Sequence, residues 1–176
     1  MSKRILSAFI SFIILVSCTE QHGSPEQALR EVGGDLKNSH FRGVSIGDGI
    51  EAVKSKEKNK PSEETATNLH YRNIIGDYDS SYYEVNYTFD ELGLFEIQAD
   101  VFLQDQAVSK EFFDQIKTKF NDKYGAPSGD EGMTGWVSKS KKNTSIEITL
   151  SNEGVEYVRP FISINFIEPL EEGVGN

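Results

Sequence analysis

The chain has 176 residues, with 18 basic against 28 acidic side chains and a single cysteine. A formal net charge of −10 repels phosphate backbones and anionic head groups, which argues against nucleic acid as a partner and favours a basic one. With one cysteine there is no internal disulfide, so stability must come from the packed core of a domain of ordinary size.

In chain order, Lys3 and Arg4 precede an apolar run from Ile5 to Val16 that only Ser7 and Ser11 interrupt. A run of about a dozen residues is short for a spanning helix, which needs about 20, and has the length of a secretory signal core. The ending Leu15-Val16-Ser17-Cys18 resembles the lipobox of bacterial lipoproteins. That resemblance implies a signal peptide over 1–17, cleavage before Cys18, and diacylglycerol and palmitate-type chains on Cys18. The remaining 159 residues would then carry a charge of −12, because Lys3 and Arg4 leave with the signal. Attachment to the membrane would rest on the acyl chains alone, at about 0.8 kcal/mol per buried methylene. The protein is thus expected in the cell envelope. Thr19 stands where an Asp would suggest retention in the inner membrane, so the outer membrane is favoured in a Gram-negative source.

Residues 18–40 read as a tether and a short helix. Ser24 is its cap, Pro25 its first residue and Gln27 lies three after the cap, with Gly33-Gly34 as the stop and Asp35 to His40 as linker. An α+β domain is expected over 41–169, followed by a frayed tail over 170–176. Asp48 and Glu51 have capping-box spacing ahead of a helix with Ile50 and Val53 on one face, which runs to about Lys56. Pro61 to Thr67 is a polar loop, and Leu69 to Ile75 a short strand.

Tyr82 to Phe89 alternates, with Tyr83, Val85, Tyr87 and Phe89 on one face. After the turn Asp90 to Gly93, the residues Phe95, Ile97, Ala99, Val101 and Leu103 share a face. This predicts an antiparallel hairpin with one wet side. The next helix has Ser109 as its expected cap, a stripe of Phe112, Phe113, Ile116, Phe120 and Tyr124, and Gly125 with Pro127 as its end. Ser128 to Gly135 reads as a mobile acidic loop and Trp136-Val137 as the opening of a strand. Ile146, Ile148 and Leu150 point inward from Thr144 to Ser151. A last strand lies around Val155 to Ile167, where Pro160 suits an edge or a bulge.

The order helix then three strands occurs twice, over Asp48 to Leu103 and over Ser109 to Ile167. The fold class expected is therefore α+β, built from tandem αβββ units with an antiparallel sheet and the helices on one face. Gly43-Val44-Ser45-Ile46-Gly47-Asp48, and Tyr124-Gly125-Ala126-Pro127 with Trp136 soon after, resemble the small outer-membrane assembly lipoproteins of the SmpA/OmlA type. A tandem version resembles the β-lactamase-inhibitor-protein fold. The resemblance implies this architecture; it does not fix a function.

Catalytic and metal motifs are sparse. Gly47 to Ala52 fits the dinucleotide fingerprint formally, yet Asp48 would face the pyrophosphate with its own charge and a capped helix explains the residues. Asp77, Asp79 and Ser81 alternate as in a calcium loop, but Tyr82 and Thr88 occupy the places of its Gly and Glu. His22, His40 and His70 lie apart and read as surface residues. No nucleophile elbow, zinc helix or phosphate loop occurs. The expectation is no cofactor, no metal and no enzymatic activity.

Tyr78, Tyr82, Tyr83, Phe102 and Trp136 form an aromatic group suited to a binding surface, since aromatic side chains supply large contact area at low entropic cost. The same residues would be core if a second element covered them. The leading expectation is a membrane-tethered scaffold or assembly accessory that binds another envelope protein. Alternatives are an inhibitor or immunity protein directed at a hydrolase or toxin, and a small-ligand or carbohydrate binder that stacks on Tyr82, Tyr83 and Trp136.

Overall fold

The computed structural model describes residues 24–34, 36–76, 80–104, 106–129, 133–153 and 161–169. Cys18 with the leader, Tyr78, the Asp77–Asp79 pair, Pro160 and the acidic tail lie outside the described residues. What is described is α+β: three helices and an eight-stranded antiparallel sheet. The helices are α1 (Pro25–Gly33), α2 (Ile50–Lys56) and α3 (Gln106–Tyr124). The strands are β1 (Glu63–Glu64), β2 (Asn68–Ile74), β3 (Tyr82–Asp90), β4 (Gly93–Phe102), β5 (Ser128–Gly129), β6 (Met133–Lys139), β7 (Ser145–Asn152) and β8 (Phe161–Ile167). They are ordered β1-β2-β3-β4-β8-β7-β6-β5. Among the described residues, no helix is long and apolar enough to cross a membrane.

The order places β4 and β8 side by side at the centre, and each carries a hairpin-linked run of strands outward to a two-residue strand at the edge. β8 is therefore a central strand; Pro160, expected to suit an edge or a bulge, lies outside the described residues. The described strand begins at Phe161, one residue after that proline.

Alternation along the strands fixes which face is buried. One row across the sheet reads Leu69, Tyr87, Ile97, Phe166, Ile148, Trp136, and every member is buried. The helices lie on this face. Phe120 of α3 meets Trp136 and Phe166 edge-on, with ring centroids 5.4 and 5.7 Å away. The stripe expected on α3 is the stripe observed, with Phe112, Phe113, Ile116 and Phe120 buried.

Local chemistry corrects several boundaries. The cap of α2 is Gly49, and no side chain caps it. Asp48 instead accepts a hydrogen bond from Ser45 N–H at 2.9 Å, stabilising the turn before the helix. Helix α3 starts at Gln106, so Ser109 lies inside it and is buried. Val108, four residues before Phe112, packs on the core and carries the apolar stripe one turn further back. Phe95 does not share the inward face of β4. A bulge pairs Thr88 with Glu96 but Phe89 with Leu94, leaving Phe95 as the extra residue and Leu94 as the buried one. The expected Ser128–Gly135 loop contains β5, which pairs Ser128 with Gly135 and Gly129 with Thr134.

The short helix expected ahead of the domain is part of the fold. Ala28 and Val32 of α1 are wholly buried and the helix packs on α3. Ser24 Oγ accepts from Gln27 N–H at 3.3 Å, the capping bond expected of that serine. Arg42 ties this helix down: its guanidinium makes two bonds to Glu57, at 3.1 and 2.9 Å, and donates to the Glu31 carbonyl. Tyr87 also donates to Glu57, and the guanidinium lies 4.8 Å from the centre of the Tyr83 ring. Burial works against the charge on Arg42, but the Glu57 carboxylate outweighs it and holds the guanidinium firmly protonated.

His40 is likewise buried, against the expectation of a surface histidine. Its Nδ1 accepts from Ile46 N–H at 3.0 Å and its Nε2 lies 3.1 Å from the Lys139 carbonyl, to which it donates. Both ring nitrogens are thereby used by a neutral imidazole. The linker region is fastened to the end of β6 by this ring.

Candidate protein-interaction surface

Stepping one residue along each strand gives the opposite face, which carries no helix among the described residues. Its central row reads His70, Asn86, Gln98, Asn165, Thr149, Gly135. The next row reads Arg72, Glu84, Asp100, Ser163, Ser151, Met133, and the one beyond it Ile74, Tyr82, Phe102, Phe161. None of these side chains is fully buried. Polar and charged side chains here hold one another in place rather than a core.

The row at the strand ends is an aromatic ladder. Tyr82 stacks on Phe102 with centroids 4.6 Å apart and planes 20° from parallel, and Phe102 stacks on Phe161 at 5.3 Å and 26°. Register causes this: Tyr82 pairs with Phe102 and Phe102 with Phe161, directly opposite across adjacent strands. Arg72 lies over the Tyr82 end of the stack with its guanidinium carbon 3.9 Å from the Tyr82 centroid, while its Nη1 donates to Glu84 Oε1 at 3.0 Å. Ile74, the next member of the row, is 48% exposed.

Beside the ladder the surface is acidic. Asp100 accepts from Ser163 Oγ at 2.7 Å and from Gln98 Nε2 at 3.1 Å. Burial, reinforced by the negative charges of Glu84 and Glu153, nonetheless lifts its carboxyl above the ordinary range. Glu96 accepts from Thr88 Oγ1 at 3.2 Å, and Glu147, in the same row of the sheet, is exposed.

The aromatic group singled out in the sequence is thus divided by the sheet. Tyr82 and Phe102 stand on the open face. Tyr83 and Trp136 are buried on the other, where Tyr83 lies beneath Arg42 and Trp136 donates to Asn121 Oδ1 at 3.2 Å. Odd and even positions of one strand face opposite ways, so Tyr82 and Tyr83 cannot both belong to one surface. A stacking platform of Tyr82, Tyr83 and Trp136 is accordingly not formed. Ile74 and Phe161 were missed, although the register of Phe161 against Phe102 could not be read without knowing that β8 pairs with β4.

Among the described residues, no group of three or more His, Cys, Asp or Glu side chains is placed to hold a metal ion. Fold and surface define a class: an α+β domain whose single antiparallel sheet has one face under helices and the other open, part aromatic and part acidic. No protein-family model matches the chain, and comparison with curated proteins and with solved structures gives no significant similarity.

Proposed function

We propose that this is a membrane-anchored, non-enzymatic envelope lipoprotein that binds another protein through the open sheet face, as a scaffold or assembly accessory. The observation that carries the reading is the ladder Ile74, Tyr82, Phe102 and Phe161, capped by Arg72 and bordered by Glu84 and Asp100. Partly exposed aromatics with an arginine among them have the composition of binding hot spots, and the flanking carboxylates suit a basic partner. The two helix-then-strands blocks are read as tandem αβββ units, each extended by a two-residue edge strand, which meet at β4 and β8. Location rests on Cys18 and the apolar leader before it.

Two experiments test the proposal. A photo-crosslinking residue placed at Tyr82 in living cells should yield a discrete adduct with one envelope protein, and the same residue at the exposed Lys58 should not. Adducts alike from both positions, or from neither, would count against the surface. Metabolic labelling with palmitate should mark the wild-type chain and leave Cys18→Ser unlabelled with its leader uncleaved. An unlabelled wild-type chain that keeps its leader would remove the anchor from the proposal.

The acidic border also favours a second reading, an inhibitor or immunity protein whose carboxylates plug a basic cleft. In that case the crosslinked protein would be a hydrolase or toxin, and its activity would return on Tyr82→Ala/Phe102→Ala substitution.

A further inference from the structure

The sequence is strongly acidic, yet its cations are not spread evenly. Two adjoining hollows, of about 730 and 340 Å³, run between α1, α3 and the turn after β6, and both include Lys37 and Lys123 in their walls. Arg30 and Lys119 line the larger one, and Lys139 and Lys141 the smaller. Among the described residues that line the groove formed by the two hollows, six are basic and one, Asp122, is acidic, and Asp48 beside the smaller hollow is ion-paired to Lys141.

We propose that this groove holds an extended acidic peptide segment of another protein. It is a second site, on the helix side of the sheet, and independent of the open-face reading. Length and lining both point to a peptide. The two hollows meet at Lys37 and Lys123, so an occupant that spans them is long and narrow. The larger hollow has apolar wall from Leu29 and Leu36 beneath its charged rim, whereas the smaller is lined by hydroxyls such as Ser45 and Ser138. A segment with an apolar side chain between carboxylates meets both linings. Orthophosphate would leave the apolar part unused.

Two of the cations are pre-positioned. Lys123 donates to the carbonyls of Leu36 and Ser39, and Lys141 donates to Asp48, which also accepts from Lys56 at 2.9 Å. Anchoring of this kind lowers the entropy lost when a ligand binds. Lys123 and Lys141 add to burial in disfavouring protonation of His40, while the Lys139 carbonyl and Asp48 oppose them.

The test uses the intact chain in nonionic detergent and a fluorescein-labelled peptide of alternating Glu and Leu, read by anisotropy. Binding is expected at about 50 mM salt and should weaken roughly tenfold or more by about 300 mM, as screening requires. Lys119→Glu/Lys139→Glu, with one change in each hollow, should weaken it at least as much. Lys58→Glu/Lys60→Glu, which makes the same change in net charge on exposed residues elsewhere, should leave it within about twofold. An unchanged unfolding midpoint shows that each variant is folded. Equal binding of a Lys-Leu peptide, or equal effects of the two double variants, would overturn the proposal. So would binding of orthophosphate or phosphatidylglycerol vesicles that depends on Lys119 and Lys139 while the acidic peptide fails to bind.

Discussion

The two faces of the sheet are built from the same strands and differ in what their side chains answer to. On the covered face Leu69, Tyr87, Ile97, Phe166, Ile148 and Trp136 form one buried row. On the open face the matching row is His70, Asn86, Gln98, Asn165, Thr149 and Gly135. Burial specifies the first row and with it the register, because a slip of one residue would turn every core side chain outward. The second row is left to solubility and recognition. An aromatic ladder on that open side is therefore not explained by the needs of the fold, which is why it carries the functional proposal.

The comparison is broken most sharply by removing one ring from each face. Phe166 is fully buried among Phe41, Phe120 and Tyr124, and Phe166→Ala should cost about 4 kcal/mol. Phe102 lies between Tyr82 and Phe161 but keeps part of its surface in water, and Phe102→Ala should cost about 1 kcal/mol. Urea unfolding measures both. Equal losses would mean that the open face is structural after all.

The next largest effect concerns the buried ion pair beneath the helices. Both side chains of Arg42 and Glu57 are nearly inaccessible, at 8% and 2% exposure. Arg42→Ala leaves the Glu57 carboxylate in the interior with Tyr87 as its one side-chain donor among the described residues and should cost about 3 kcal/mol. The exposed pair Lys110–Asp114, 2.7 Å long, is the contrasting case, and Lys110→Ala should leave the unfolding midpoint almost unchanged.

These contrasts also show what could be read in advance. The hairpin β3–β4 and the helix α3 were legible because Tyr83, Val85 and Tyr87 keep period two and Phe112, Ile116 and Phe120 keep period four. The division of Tyr82 from Tyr83 follows from the same alternation, which sets Tyr82 and Phe102 opposite the inward residues of their strands. Long-range facts were not legible. Nothing local announces that β8 lies beside β4, so Phe161 could not be added to the ladder, and nothing in Ala28 or Val32 announces that α1 docks on α3. Asp48 was misread as a cap because Asp bonds to backbone in turns as readily as at helix starts, and Ser109 because the helix begins one turn earlier, with Val108 extending its apolar stripe. The basic groove was hidden by the net charge, which sums over a surface and says nothing of how Arg30, Lys37 and Lys119 are gathered.

Acid titration sharpens the contrast because the two faces carry shifts that act in opposite directions. His40, under the helices, has its pKa lowered by burial and by Lys123 and Lys141, against the opposing bond to the Lys139 carbonyl and the charge of Asp48. Its folded pKa thus lies below the unfolded value of about 6.5, and the unfolded chain takes up the proton first. Stability should fall as pH drops below about 6.5 and continue to fall until the folded pKa is reached. Tyr124 also touches this residue, through a hydroxyl bond to the His40 carbonyl, but burial keeps that phenol neutral throughout the range. Unfolding midpoints at about pH 7.5, 6.5 and 5.5 should decline for the wild type. His40→Asn, whose amide oxygen can still accept from Ile46, should show a lower midpoint and a flatter profile.

Asp100 gives the smallest effect and the opposite sign. Burial raises its folded pKa above the ordinary 3.8, so the folded state holds that proton longer than the unfolded chain does. Stability contributed by the neutral carboxyl is complete below about 3.8 and is lost as pH rises through the folded pKa, leaving an ionised and partly desolvated group at neutral pH. Asp100→Asn removes that charge. Its oxygen can still accept from Ser163, and Gln98 can turn its own amide to present an oxygen to the new NH2 group. The variant should match or slightly exceed the wild type in stability at pH 7, and that advantage should vanish near pH 3.5. If the carboxylate instead serves a basic partner, the variant that unfolds no earlier should be the one that crosslinks less efficiently from Tyr82. Stability and recognition would then diverge on the open face, whereas on the covered face Phe166→Ala loses both together.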